Sequence, residues 1–234
     1  MRLTSPHVTT FVAITGGSGS GKSWLSQQLL KRFGDLAGRI SLDDFYRDRS
    51  DLTENQRNYL NFDNPDAIEW SYFKQVLAEC AKGQGVLVPR YDFVTHSRQS
   101  DTRSQVRSLI VIVDGLWLLH DPSVREHFQY SVYIECPDSL RMKRRLERDH
   151  DERGRSLSTV RKVFDEVVRP MHEKFVEPQI EFADVVLTQP ISDADVGNLY
   201  DQILNLSVSR IQPGKTPDSS DPYRNLKYHN PRKH

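Results

Sequence analysis

The chain has 234 residues, 37% hydrophobic and 27% charged, enough for one large α/β domain or two small ones in a water-soluble fold. Its 32 basic and 32 acidic residues cancel to a formal net charge of zero, so the basic footprint of a general nucleic-acid binder is missing. No apolar run approaches the length of a membrane span, and residues 1–9 lack the apolar core of a signal peptide. Only Cys80 and Cys136 occur, without metal-ligand spacing, and the expectation is two reduced thiols in a cytoplasmic protein.

Apolar runs alternate with helical patterns, which predicts an α/β fold with a mostly parallel central sheet. Phe11-Val12-Ala13-Ile14 centres a first buried strand over 10–15, and Leu25, Leu29 and Leu30 predict a helix over 21–32. A second strand over 39–42 ends at Asp43-Asp44. Residues 45–64, polar with scattered aromatics, read as a long functional loop holding a short helix. Asp66 is expected to cap a helix reaching about Lys82. Residues 85–89 and 91–93 read as an edge hairpin, because Pro89 cannot serve a central strand. Buried strands follow over 108–113 and 130–135, and an Arg-rich helix runs from Pro137-Asp138 to about His150. A helix over 157–168 is expected to break or kink at Pro170. A short strand over 185–187 and a helix over 196–206 end the domain, taken as residues 1–211. Residues 212–234, rich in Pro, Ser, Asp and Asn with scattered Lys and Arg, read as a flexible basic tail.

Five constellations carry chemistry. Gly16-Gly17-Ser18-Gly19-Ser20-Gly21-Lys22-Ser23 fits G-x-x-x-x-G-K-[ST], the phosphate-binding loop, and sits between a predicted strand and a helix N-terminus. Lys22 is placed to reach the β/γ-phosphates and the Ser23 hydroxyl to bind Mg²⁺. Ile110-Val111-Ile112-Val113-Asp114 supplies an acid at the end of a buried strand, where Asp114 can meet Mg²⁺ directly or through a water. Asp43 and Asp44 end another strand; either carboxylate could take a proton from an attacking hydroxyl, and alternation does not choose between them. Arg141, Arg144, Arg145 and Arg148 share one helix face, followed by Arg153 and Arg155 across Gly154. They form either a solvated face paired with carboxylates such as Glu147 and Asp151, or a lid over phosphates with Gly154 as hinge. Tyr91-Asp92-Phe93-Val94-Thr95-His96-Ser97-Arg98 is either an ordinary aromatic hairpin or a pocket for a planar heterocycle.

Taken in order, GGSGSGKS (16–23), DDFYRD (43–48), NFDNPDAIEW (61–70), YDFVTHSR (91–98), RDHDERGRS (148–156) and RPMHEKFVEPQIEFAD (169–184) resemble the uridine–cytidine kinases of the phosphoribulokinase/uridine kinase group, over roughly residues 10–190. The resemblance implies a three-layer P-loop kinase fold with a β-hairpin insertion for substrate and a helical lid over about 138–156. It implies transfer of phosphate to the 5′-hydroxyl of uridine and cytidine, with Mg²⁺ and with ATP as donor, GTP being left open. In this resemblance Asp43 is the base, and Tyr46, Tyr91, Phe93 and His96 surround the pyrimidine. Asp63 holds the ribose hydroxyls and Arg145 reaches sugar and phosphate, while Arg148 and Arg153 lie on the phosphates. A homotetramer is implied as well. Two departures stand out: Asp114 replaces a frequent Glu, and Val163 stands where a ribose-binding Gln is usual. A sugar-phosphate or vitamin-precursor kinase is the alternative enzyme, and a nucleotide-dependent regulator without an acceptor is the alternative outside enzymes.

Overall fold

The computed structural model describes residues 8–57, 60–105 and 107–211. Strand β1 (Thr10–Gly16) is buried at all positions, and the chain turns from it through the glycine-rich loop into helix α1 (Lys22–Phe33). Strand β2 (Ala37–Ser41) runs into a 3₁₀ turn, Leu42–Phe45. Helix α2 (Glu54–Arg57) lies in the long loop, and α3 (Trp70–Ala81) precedes strands β3 (Val86–Asp92) and β4 (Ser97–Gln105). Then come β5 (Ile110–Gly115), α4 (Pro122–Arg125), β6 (Tyr130–Glu135), α5 (Asp138–Asp151) and α6 (Leu157–Val163). The chain closes with α7 (Arg169–Met171), β7 (Val185–Thr188) and α8 (Asp193–Ile211).

Five strands form one parallel sheet in the order β2-β5-β1-β6-β7. Side chains alternate across a strand, so β1 feeds two cores. Phe11 and Ala13 join Phe45, Phe73 and Trp117 on one face, while Val12 and Ile14 join Leu25, Leu29, Val196 and Leu199 on the other. Helices α1 and α8 cover the second face, giving three layers. No helix among the described residues is long and apolar enough to cross a membrane.

Three expectations change. The hairpin pairs β3 with β4, antiparallel and separate from the main sheet, rather than pairing 85–89 with 91–93. Strand β4, Ser97–Gln105, has no apolar alternation because it packs little against the core; its ladder to β3 defines it. Asp66 does not cap α3: Asn64 caps a separate 3₁₀ turn, Pro65–Ala67, and α3 starts only at Trp70. Helical structure also continues through Pro170, so of the break or kink expected there the break does not occur. Wide π turns at Phe164–Val168 and His172–Val176 flank the proline, and the Arg169 N–H reaches back to the Phe164 carbonyl, so the ladder skips the missing donor. The tail expected over 212–234 lies outside the described residues.

Candidate active site

Connections leave β1 and β5 toward opposite edges of the sheet, and a crevice opens at the carboxyl ends of such strands. The cleft there measures about 980 Å³. Ser18, Gly19, Gly21, Lys22 and Ser23 form one wall, with Gly16, Gly17 and Ser20 buried behind them. Gly19 has φ +80°, and a Cβ there would lie 2.6 Å from the Arg141 carbonyl oxygen, so glycine alone allows this approach. Arg141 is itself 1% exposed and paired with Asp138, a fixed cation under the loop. The Lys22 ammonium donates to the Gly16 and Gly17 carbonyls, both at 2.9 Å. Burial pulls its pKa down to about 8, against the opposing pull of Asp43 and Asp114.

The 3₁₀ turn after β2 decides between the two aspartates. Asp43 lies on the cleft wall, whereas Asp44 turns to Arg103 at 3.4 Å. Burial raises the Asp43 pKa above its ordinary value, with Lys22 working against the rise. Asp114 stands beside Ser41 in the sheet register and is 2% exposed. Arg39 Nε and Nη2 reach its two oxygens at 2.5 and 2.9 Å, and the Ser41 hydroxyl donates to it at 3.2 Å. Mg²⁺ takes hard oxygen donors, and on the cleft wall Ser23 and Asp43 fit that requirement. Asp114 fits it only at one remove, because Arg39 already engages both carboxylate oxygens.

The far end of the cleft is aromatic. Tyr46, Phe62, Phe93 and His96 line it; the Tyr46 hydroxyl donates to the Phe62 carbonyl at 2.9 Å, and the Phe62 ring stacks on His96 at 4.1 Å and 11°. Tyr91 sits one layer back, 5.3 Å from the Tyr46 ring and 5.2 Å from that of Phe93, supporting the wall rather than forming it. His96 holds a positive φ of 52° and meets Arg155 Nη2 at 3.0 Å through Nε2. Because guanidinium only donates, Nε2 accepts and the neutral ring carries its proton on Nδ1. Burial, reinforced by Arg155 and Arg153, keeps the imidazole pKa down at about 4.

Between the two ends, Asp63 receives a bidentate pair from Arg145 at 3.0 and 3.2 Å, and Arg145 also donates to Ser18 Oγ at 3.2 Å. While Arg144 donates to the Gly19 and Ser20 carbonyls of the phosphate loop, four of the arginines of α5 and the following turn converge on Asp149, not on Glu147 or Asp151. Arg148, Arg153, Arg145 and Arg155 approach its carboxylate at 2.8, 3.3, 3.4 and 3.9 Å. Burial alone would raise the Asp149 pKa; Arg148, Arg153 and Arg145 reverse this and hold it below its ordinary value. Gly154, at φ +65°, turns the chain tightly enough for Arg155 to fold back. The Arg153 guanidinium sits 4.5 Å over the Phe93 ring. Val163 lies on the cleft wall, flanked by Thr159 and Glu166 one turn to either side. The sequence reading missed Asp149, Phe62, Arg39 and the Arg155–His96 contact. The first carries a signal: Asp149 falls four residues after Arg145, on the buried face of α5.

A sequence model of the phosphoribulokinase/uridine kinase family matches residues 11–197. A uridine kinase of Proteus mirabilis (strain HI4320) is 37% identical over 186 residues, covering 77% of this chain and 87% of that one. A uridine kinase of Clostridium perfringens (strain 13 / Type A) is 37% identical over 180 residues, with 76% and 86% covered. Among solved structures, a phosphoribulokinase from Rhodobacter spheroides superposes with a TM-score of 0.57 at 17% identity, over 79% of this chain and 71% of that one. A D-glycerate 3-kinase from Cryptococcus neoformans gives 0.57 at 17%, over 77% and 83%. At such identity these structures share the fold.

Proposed function

This chain belongs to the phosphoribulokinase/uridine kinase family, and we propose that it transfers the γ-phosphoryl of ATP to the 5′-hydroxyl of uridine and cytidine, giving the monophosphate and ADP. One observation carries this. A single cleft joins the phosphate loop, a raised-pKa aspartate, and a pocket of aromatic rings around a neutral imidazole. Similarity to uridine kinases over three-quarters of the chain supports the same acceptor.

The loop amides and Lys22 bind the donor phosphates at the start of α1. Asp63, held by Arg145, accepts hydrogen bonds from the ribose hydroxyls, and a deoxy sugar leaves that partly buried carboxylate short of a partner. Phe93 and Tyr46 flank the base, with His96 and Arg155 at its polar edge. Asp43 then accepts the 5′-hydroxyl proton. Arg148 and Arg153 spread the charge that develops on the phosphoryl oxygens. Mg²⁺, held by Ser23 and Asp43, would neutralise charge on the β/γ oxygens. A homotetramer, a cytoplasmic location and a catalytic unit ending near residue 211 belong to the same proposal.

Purified protein with Mg-ATP and uridine should yield UMP, with ADP released in proportion. No monophosphate from either pyrimidine nucleoside, with folding intact, overturns the assignment. Nucleoside-independent ATP hydrolysis instead points to a regulator.

A further inference from the structure

Two ion pairs back the wall behind Asp43: Arg39 with Asp114, and Arg103 with Asp44. The first has an unusual consequence for a phosphate-loop site. The acid at the end of β5 is the one expected to meet the metal. Here β2 supplies an arginine directly beside it, and the sheet register fixes the approach, since Arg39 pairs with Ile112 and Ser41 with Asp114. The guanidinium takes both carboxylate oxygens, at 2.5 and 2.9 Å, and the Ser41 hydroxyl takes a further position at 3.2 Å. The backbone of Arg39 is tied as well, its carbonyl accepting from Arg103 Nη2 at 3.3 Å. Asp114 is 2% exposed, and the cleft wall includes Asp43 but not Asp114.

A direct Mg²⁺ ligand must present an unshared oxygen at about 2.0–2.1 Å. A fixed guanidinium on the same carboxylate opposes this twice, by using the oxygens in a fork geometry and by placing a positive charge next to the ion. We propose that Arg39 is a positioning residue that holds Asp114 away from direct metal contact. The divalent ion is then gripped by Ser23, Asp43 and phosphate oxygens, with Asp114 outside its ligand shell. Asp43 thereby serves as both metal ligand and base, and metal affinity is set below what a free Asp114 would give. This inference rests on the phosphoryl-transfer assignment above, but not on the identity of the acceptor.

The test is Mn²⁺ binding in the presence of ADP, followed by electron paramagnetic resonance on the full chain without nucleoside. Mn²⁺ stands in for Mg²⁺ as an octahedral, oxygen-seeking ion. Asp114→Asn alone should change Mn²⁺ affinity by less than about twofold. Arg39→Met should tighten it by roughly tenfold, the scale on which groups behind metal ligands act. Adding Asp114→Asn to Arg39→Met should remove that gain. A tenfold or greater loss from Asp114→Asn alone overturns the inference, as does an Arg39→Met protein with native circular dichroism and unchanged or weaker Mn²⁺ binding. Should Arg39→Met fail to fold, Arg39→Lys is read instead. A lysine cannot span both oxygens, so a smaller tightening is expected and none overturns the inference. Failure to phosphorylate uridine, with these Mn²⁺ results intact, refutes only the acceptor.

Discussion

Replacing Asp149 with asparagine removes one charge and almost no volume, so it isolates what that charge does. Four guanidinium groups lie 2.8, 3.3, 3.4 and 3.9 Å from a carboxylate that is 1% exposed. Breaking a buried ion pair from one side costs about 3–5 kcal/mol, because the partner stays buried and unpaired. Arg148 and Arg155 are roughly a third exposed and partly solvent-screened, which favours the lower half of that range, about 3–4 kcal/mol. For a domain of this size each kcal/mol moves Tm by about 2–4 °C, so a drop of roughly 6–16 °C is expected. Kinetics should separate the arginines: KM for uridine rises through Arg145 and Arg155, and kcat falls through Arg148 and Arg153. Thermal unfolding by circular dichroism and coupled ADP assays read both. A Tm within about 2 °C of the parent, with kcat and KM within about twofold, would show that the four arginines hold their places without Asp149.

Asp43→Asn should keep affinity for metal-free ATP, measured by calorimetry in chelator, while kcat falls by about two orders of magnitude or more, the scale of acid–base catalysis. Stability should fall with acid. His96 and His172 have pKa values held near 4 rather than 6.5, so the unfolded chain takes up two protons between those limits that the folded one refuses. Urea midpoints measured at pH 7 and pH 5 should differ, and the difference should shrink in a His96→Gln/His172→Gln protein. Asp63→Asn should raise KM for uridine by at least about tenfold and narrow the preference over deoxyuridine, since the group that loses its partner with a deoxy sugar is gone. An unchanged preference ratio removes Asp63 from the ribose.

Local patterns made the main sheet legible: β1 and β6 are apolar runs whose ends follow from composition alone, and the phosphate loop announces itself by spacing. Strand β4 was not legible, because a polar strand held by its ladder rather than by burial leaves no alternation to read. The choice between Asp43 and Asp44 depends on a 3₁₀ turn and on Arg103, which lies 59 residues away, so no local rule reaches it. Pro170 misled for a different reason. Proline forbids one hydrogen bond, but the chain can widen a turn and spend its donors elsewhere. Within the Arg-rich helix, charge density left a solvated face and a phosphate lid both open, whereas helical phase puts Asp149 on the same side as the buried Arg141 and Arg145.

The position of β1 also governs how the molecule can be made. Thr10 pairs with Ile110 and Val12 with Tyr130, so the first strand waits for partners synthesised a hundred or more residues later. At about 5–20 residues per second, translation leaves this apolar strand without its neighbours for roughly 5–25 s. Parallel pairing over such separations is slow in any case, since loop closure comes before any contact rewards it. The strand that leads into the phosphate loop therefore spends that interval with an apolar surface in the open, before β5 and β6 exist to cover it.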